Sequence, residues 1–477
     1  MCALRLVPSD GLYNKSSSSS NASSSTTKST ITENHDLWPP THDIPERKPH
    51  DNIAWWNDVD EDGQETFATF KYKVVQLVAE IFPYVDTSSQ LIIDEVGSGS
   101  FNRVIGVTIL PKKLCNLTFG SLFKLSCTPQ PQEFVVRIPL DGRGEWSRLS
   151  SDMKADIAIL QVVGSRLNVP VPKVLKYELH ENNALEKPYV LQSRLRGQSL
   201  RVLANTLNFK QMASAVEQVT KIIEKIAAVT APAAGFIATE NLDFPSDSYI
   251  HIMRNVVPTE EVAKISRMVD NQLALPQTPF EYLVDYCERW RSYEESVDHH
   301  GNKALWAQLI AIVGTLNRRG FLGDRFHLVH DDLYPRNILA VVDSPDTVEV
   351  TGIVDWDMSY FVPKFVALRP PYWAWMGDYA DERDEDNANV HPENEWGTHL
   401  KIAFIKAASE DFVQFALSQE AILARKLFYI LVGGLMSDER RASALELIRQ
   451  WSALYPGDVL DISTLVVPSC HRGNIKC

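Results

Sequence analysis

Apolar residues first recur at helical spacing at Phe67, Phe70, Val74, Val75, Val78 and Ile81, which predicts an amphipathic helix. Upstream there is almost nothing to bury. Ser16 to Ser20 and Ser23 to Ser25 form low-complexity tracts, and residues 1–50 read as a disordered Ser-rich tail. Beyond the helix the pattern changes to short alternating runs. Leu91 to Val96 reads as a strand entering Gly97-Ser98-Gly99-Ser100, Arg103 to Leu110 as its hairpin partner, and Phe134 to Ile138 as a third strand ending at Pro139. Ser151 to Leu167 is helical, with Ile157, Leu160, Val163 and Leu167 on one face, until Pro170 and Pro172 stop it. Lys173 to Leu179 and Tyr189 to Leu195 add two short strands, so residues 51–195 read as a small, sheet-based lobe. Residues 196–477 read as a second, mainly helical lobe. Its expected helices are 208–229, 278–296, 302–319, 396–418 and 420–452, the last broken at Gly433-Gly434. Ile338 to Val342 and Val348 to Val354 interrupt them as strands.

Composition narrows the functions open to such a chain. Of its 477 residues 44% are hydrophobic, enough for a large core. A formal charge of −14 argues against a nucleic-acid surface, which needs clustered Lys and Arg, but leaves nucleotide binding open. Cys2, Cys115, Cys127, Cys287, Cys470 and Cys477 form no Cys-x-x-Cys and no zinc spacing, which suits a reducing compartment. The opening residues lack the apolar core of a signal peptide, and no run of ~18 apolar residues occurs, so no membrane span is expected. A cytoplasmic protein is the expectation. The Ser-rich, acid-poor start makes a mitochondrial presequence the minor alternative.

The most informative segment is His330-Asp331-Asp332-Leu333-Tyr334-Pro335-Arg336-Asn337, followed by Gly352-Ile353-Val354-Asp355-Trp356-Asp357. Taken singly, these residues are ordinary turn and strand-end residues; together and in this order they point to chemistry. The pair of segments resembles the catalytic loop and metal segment of aminoglycoside phosphotransferases and choline-type kinases, the fungal branch in particular. The resemblance spans roughly residues 55 to 455. It implies an α+β, two-lobed protein kinase-like fold with a small antiparallel-sheet N-lobe and a mainly helical C-lobe. It also implies an enzyme that uses ATP and Mg²⁺ to phosphorylate a hydroxyl of a small molecule, aminoglycoside-, amine- or choline-like. Phosphoryl transfer asks a protein chiefly to position reactants and neutralise charge. On the resemblance, Asp332 is the catalytic base, His330 orients the loop, and Asn337 and Asp355 hold the metal. Asp357 is a further metal contact or a structural residue. The family's glycine after the histidine is Asp331 here, which adds a charge beside the loop.

The remaining nucleotide contacts follow from the same resemblance. Gly97-Ser98-Gly99-Ser100-Phe101-Asn102 lies between two strands, where a tight hairpin is the plain reading and a phosphate-covering loop the functional one. Gly97, Ser98, Gly99, Ser100 and Asn102 are the candidates. No helix opens after the glycines, which excludes a Walker A or Rossmann turn. Arg137 stands where kinases carry Lys, and Asp156 where they carry Glu; the alignment rests on Asp156-Ile157-Ala158 and Val169-Pro170-Val171-Pro172. Arg can grip phosphate or carboxylate with two N–H groups, and a surface salt bridge is the plainer alternative. Leu191 to Leu195 would be the interlobe hinge.

Other signals carry less. Asp58-Val59-Asp60-Glu61-Asp62-Gly63 begins like a calcium loop, but its twelfth position is Thr69. Asp378, Asp381, Glu382, Asp384, Glu385, Asp386, Glu393 and Glu395 form an acidic stretch that reads as a solvated loop or as a rim attracting a cationic substrate. Trp373 and Trp375 read as core residues, with a pocket wall as the alternative. A protein kinase fits poorly, because Tyr334 replaces the expected Lys and no D-F-G or A-P-E follows. A non-catalytic nucleotide-binding relative is the third possibility, and oligomeric state is not legible.

Overall fold

The computed structural model describes residues 65–98, 102–112, 130–140, 146–237, 252–255, 269–297, 301–376 and 384–458. The chain divides into two units, Met1–Lys48 and Pro49–Cys477, and every described residue belongs to the second. The serine tracts, most of the calcium-like loop, and Asp378, Asp381 and Glu382 lie outside the described residues.

The N-lobe begins with helix α1 (Phe67–Ile81), whose first turn is capped by the Thr66 hydroxyl accepting from the Thr69 N–H. Its buried face is Phe70, Val74, Leu77 and Val78, the stripe that the spacing predicts. It packs on an antiparallel sheet of β1 (Leu91–Ser98), β2 (Asn102–Ile109), β3 (Gln132–Pro139), β4 (Val174–Glu178) and β5 (Tyr189–Ser193), ordered β1-β2-β3-β5-β4. Ile105, Val107, Val136, Ile138, Tyr189 and Leu191 close that core against α1. Helix α2 (Trp146–Arg166) joins the lobes. Met153 and Ile157 pack with Val190 of the sheet, whereas Leu160 and Val163 enter the C-lobe core.

The chain enters the C-lobe through Gly197, whose φ is +102°. A Cβ there would lie 2.5 Å from the Ala340 carbonyl oxygen, so only glycine allows the close approach. The next two residues, β6 (Gln198–Ser199), pair with β9 (Ile338–Val342), which forms a hairpin with β10 (Val348–Ile353). Helix α3 (Phe209–Ala227) starts with an Asn208–Gln211 capping box and buries Met212, Val216, Val219, Ile223 and Ile226. Helices α4 (Pro279–Ser296) and α5 (Lys303–Arg318) pack through Trp290 and Trp306, whose rings stack 6.3 Å apart. This is the two-lobed α+β architecture that the resemblance implies.

One expected helix divides, and another breaks at the glycine pair where a break is expected. The 396–418 run is α6 (Glu395–Ala407) and α7 (Glu410–Leu417), because the Ser409 hydroxyl caps a new helix. The 420–452 run is α8 (Gln419–Gly433) and α9 (Asp438–Leu454), separated where Gly434 takes φ +70° and Ser437 caps α9. Among the strands with no counterpart in the sequence pattern are β8 (Phe326–His330) and its partner β11 (Ser359–Pro363). β8 also pairs with β7 (Thr230–Ala231). Trp373 and Trp375 are both buried. The acidic stretch is not uniform. Glu385 is 1% exposed and pairs with the fully buried Arg425, while Asp386 pairs with Lys426 at 2.6 Å.

Candidate active site

Two backbone turns face each other at the end of the C-lobe strands. One runs from β8 through Asp331 and Asp332 to a 3-10 turn, Pro335–Asn337, and into β9. The other leaves β10 through Val354 and Asp355 into the 3-10 turn Trp356–Met358 and then β11. His330 binds them together. It is 4% exposed, its Nε2–H donates to the Val354 carbonyl at 3.0 Å, and its ring lies 4.7 Å from Trp356. Burial pulls its pKa below the usual imidazole value, so it stands neutral between the turns. The Val354 N–H donates to the Asn337 carbonyl at 3.0 Å, and the Ile353 N–H to the Pro170 carbonyl at 2.9 Å. The Pro-rich stop after α2 therefore docks directly on the strand that feeds Asp355.

Asp332 is held by its own loop. One carboxylate oxygen pairs with the Arg336 guanidinium, and the other accepts from Asn337 Nδ2 at 2.7 Å. Asn337 Nδ2 also donates to the Asp332 carbonyl at 2.9 Å. These bonds commit the Asn337 amide nitrogen to the loop and leave its side-chain oxygen as the group that a cation could use. Arg336 is a site residue that the motif spacing did not single out, and its only signal was the i, i+4 interval from Asp332.

Asp355 has φ 66° and ψ 55°, a left-handed conformation uncommon outside glycine but tolerated best by Asp and Asn. It places Asp355 and Asp357 on one short turn. Arg137, from the middle of β3, reaches across from the N-lobe to both. Its Nη1 donates to Asp357 Oδ1 at 3.2 Å and its Nη2 to Oδ2 at 2.9 Å, while Nη2 stands 3.6 Å from Asp355 Oδ1. The Arg137 side chain is 15% exposed and that of Asp355 47%. Burial alone would lower the Arg137 pKa, but Asp357, Asp156 and Asp355 outweigh it and hold the guanidinium charged. Burial, followed by the neighbouring Asp357 charge, pushes Asp355 up to about 6, with Arg137 opposing. Asp156 acts on Arg137 through its charge, and Asp357 is the bidentate partner.

The glycine segment is described in part. Gly97 and Ser98 end β1 opposite Val104 and Arg103, and Asn102 opens β2 opposite Pro139. Val104 in turn sits opposite Arg137, so the hairpin borders the strand that carries it. Gly99 and Ser100 lie outside the described residues.

Asp331 is half-buried and lies beside a tyrosine and an arginine of the C-lobe. The Tyr360 hydroxyl donates to its Oδ2 at 3.4 Å, and Arg369 acts on it electrostatically. Arg369 donates to the hydroxyls of Tyr334 and Tyr429, both at 2.9 Å, and the Trp373 Nε1–H donates to the Leu333 carbonyl at 3.2 Å. A small cleft lined by His330, Asp331, Tyr334, Arg369, Tyr372 and Trp373 lies under the loop. Trp373 is both core and pocket wall. No local signal in the sequence joins Arg369 to Asp331.

Asp355, Asp357 and the Asn337 side-chain oxygen are hard-oxygen donors of the kind that suits Mg²⁺, which usually takes few protein ligands and completes its shell with water and phosphate. The residues fit that ion, with the Arg137 guanidinium now on the same carboxylates.

Several solved structures align with most of this chain. An aminoglycoside phosphotransferase, APH(4)-Ia, aligns at 13% identity over 80% of this chain and 98% of its own, with a TM-score of 0.39. The GDP complex of wild-type aminoglycoside 2'-phosphotransferase-IIIa aligns at 14% identity over 80% and 99%, with a TM-score of 0.37. Likeness at this level does not speak to substrate. Altered inheritance of mitochondria protein 9 of Debaryomyces hansenii is 30% identical over 97 residues, 20% of this chain and only 15% of that protein's length. Among the described residues no helix is long and apolar enough to cross a membrane. The sequence model of the phosphotransferase enzyme family matches residues 124–363, half of the chain and the whole stretch from β3 through the paired turns to β11, and the chain belongs to that family.

Proposed function

We propose that this protein transfers the γ-phosphoryl group of a nucleoside triphosphate, ATP in the first instance, to a hydroxyl of a small molecule. The acceptor class is aminoglycoside-, amine- or choline-like. One observation carries the reading: His330 locks the Asp332 loop to the Asp355–Asp357 turn, and Arg137 faces that turn from the nucleotide-side lobe.

In this reading Asp332 takes the acceptor's hydroxyl proton as the oxygen attacks phosphorus. Arg336 and Asn337 fix the carboxylate so that little reorganisation is needed. Asn337 and Asp355 would hold Mg²⁺, with Asp357 beside them, and the bound ion would neutralise phosphate charge. Arg137, on the third strand, would grip phosphate oxygens, and the glycine hairpin would cover them. His330, neutral and bonded to backbone, positions the two turns and moves no proton.

A second reading, a nucleotide-binding relative without turnover, draws on the Arg137 clamp over the carboxylates. A single screen separates the two. Purified protein is assayed for ADP or GDP release with Mg²⁺ against amines, sugars, choline-like alcohols and aminoglycosides, and for melting-temperature shifts with Mg²⁺–ATP and Mg²⁺–GTP. Acceptor-dependent nucleotide release supports the transferase. A shift without release supports the second reading, and no shift with either nucleotide sinks both.

A further inference from the structure

We propose that Arg137 is the resident cation of the Asp355–Asp357 pair in the nucleotide-free protein, so that divalent metal enters only together with nucleotide. The inference rests on the phosphotransferase reading above and concerns the order in which that site fills.

The geometry is that of an occupied site. Both Asp357 oxygens receive separate N–H groups of one guanidinium, at 3.2 and 2.9 Å, and the same Nη2 stands 3.6 Å from Asp355. Mg²⁺ binds carboxylate oxygen at about 2.0–2.1 Å. A metal on Asp357 would therefore sit within a few ångströms of a guanidinium that holds the same atoms. The Arg137 side chain is 15% exposed and that of Asp357 24%, so water screens the repulsion poorly. A bare metal ion must break both hydrogen bonds and displace a mostly buried positive charge from its bidentate partner, leaving it the charge of Asp156 but no replacement for the two hydrogen bonds.

Nucleotide changes that balance. Two oxygens of a tetrahedral phosphate can accept in parallel as the two of a carboxylate do, and a guanidinium grips either with two parallel N–H groups. Asp156 stands near enough for its charge to act on Arg137, which keeps the displaced guanidinium close to an anion as it turns. The phosphates thus draw Arg137 off Asp357 and bring negative charge of their own, and the carboxylates become free for metal in the same event. Lysine cannot do this equally. A single ammonium is a point charge without the rigid fork that spans both Asp357 oxygens while facing Asp355. Arginine at a position where the family usually carries lysine would make metal entry conditional on nucleotide.

The test reads metal binding directly, with Mn²⁺ as the probe and loss of its free-ion electron paramagnetic resonance signal as the readout. Wild-type full-length protein is expected to leave the signal unchanged without nucleotide; because ATP itself complexes Mn²⁺, metal binding with nucleotide is read as the water-proton relaxation enhancement that protein adds to a Mn²⁺–ATP solution. Arg137→Gln is expected to bind Mn²⁺ without nucleotide, tighter than wild type by roughly tenfold or more, since a site available less than about a tenth of the time loses at least that factor in apparent affinity. Arg137→Lys, which keeps the charge and serves if the Gln variant does not fold, is expected to lie between them. Wild-type protein that takes Mn²⁺ alone as tightly as either variant overturns the proposal and leaves the phosphotransferase reading standing. If wild type takes neither Mn²⁺ nor ATP, alone or together, the phosphotransferase reading falls and the proposal with it.

Discussion

Asp355 is required to do two things, carry a carboxylate and occupy a left-handed backbone position, and a pair of substitutions separates them. Asp355→Gly and Asp355→Ala remove the same charge, and each relieves the same repulsion from Asp357 and loses the same attraction to Arg137. Those electrostatic changes cancel in the difference between the two variants. What is left is backbone. At φ 66° an alanine bears about 1–2 kcal/mol of left-handed strain that glycine does not. Against this, alanine restricts the unfolded chain and gains about 0.4–1 kcal/mol over glycine. At an ordinary position the Ala variant would be the more stable; here the order reverses, with Gly ahead by about 0.8 kcal/mol from the midpoints of the two ranges. Denaturation midpoints of the two variants under identical conditions measure the difference, and Mn²⁺–ATP binding measured on both should be weakened alike. Equal or greater stability of Asp355→Ala would refute the claim that the fold imposes this conformation. Near-wild-type metal–nucleotide binding in either variant would refute the ligand assignment.

Three further outcomes follow from other contacts. Asp332→Asn should lower acceptor-dependent turnover by about 10²–10⁴ with little change in nucleotide affinity, because it removes a positioned proton acceptor while keeping an oxygen for Arg336 or Asn337; steady-state kinetics with a binding titration checks it, and undiminished turnover removes the base assignment. Arg425→Met should cost about 3–5 kcal/mol in a denaturation experiment, since it removes the hydrogen-bonding cation of the buried Glu385 carboxylate, leaving Arg369 3.8 Å away, and takes donors from the Phe415 and Ala416 carbonyls, 2.6 and 2.9 Å away; a loss below about 1 kcal/mol contradicts the pair's role. Burial raises the Asp331 pKa, with Arg369 and the Tyr360 hydroxyl opposing, so the folded chain disfavours its charged form and this residue's contribution to stability falls as pH rises from the ordinary carboxylate range, about 4, through its raised folded value. Asp331→Asn should therefore gain on wild type as pH rises and lose that advantage toward acid, and a melting-temperature difference that is flat with pH contradicts this.

Features that depend on near neighbours along the chain are legible in the sequence itself. Periodicity alone locates α1 and its buried stripe, the hairpin of β1 and β2, and α2 with its proline stop, because a helix or hairpin is specified by residues a few positions apart. The resemblance of two short segments to a known family marks out Asp332, Asn337, Asp355 and Asp357 as one candidate set. Tertiary structure decides what each of these groups faces. β8 is five residues long, and its partners, Thr230–Ala231 and β11, lie on either side of it at long range in sequence, so no local pattern announces it. Arg137 meets Asp357 across 220 residues, Asp331 lies beside Tyr360 and Arg369, and Glu385 leaves an acidic run to pair with Arg425. Charged side chains carry no periodic signature of their partners. An apolar face is specified by its own neighbours, whereas the energy of a carboxylate is set by whichever cation and whatever loss of solvent the crossing of distant segments brings to it.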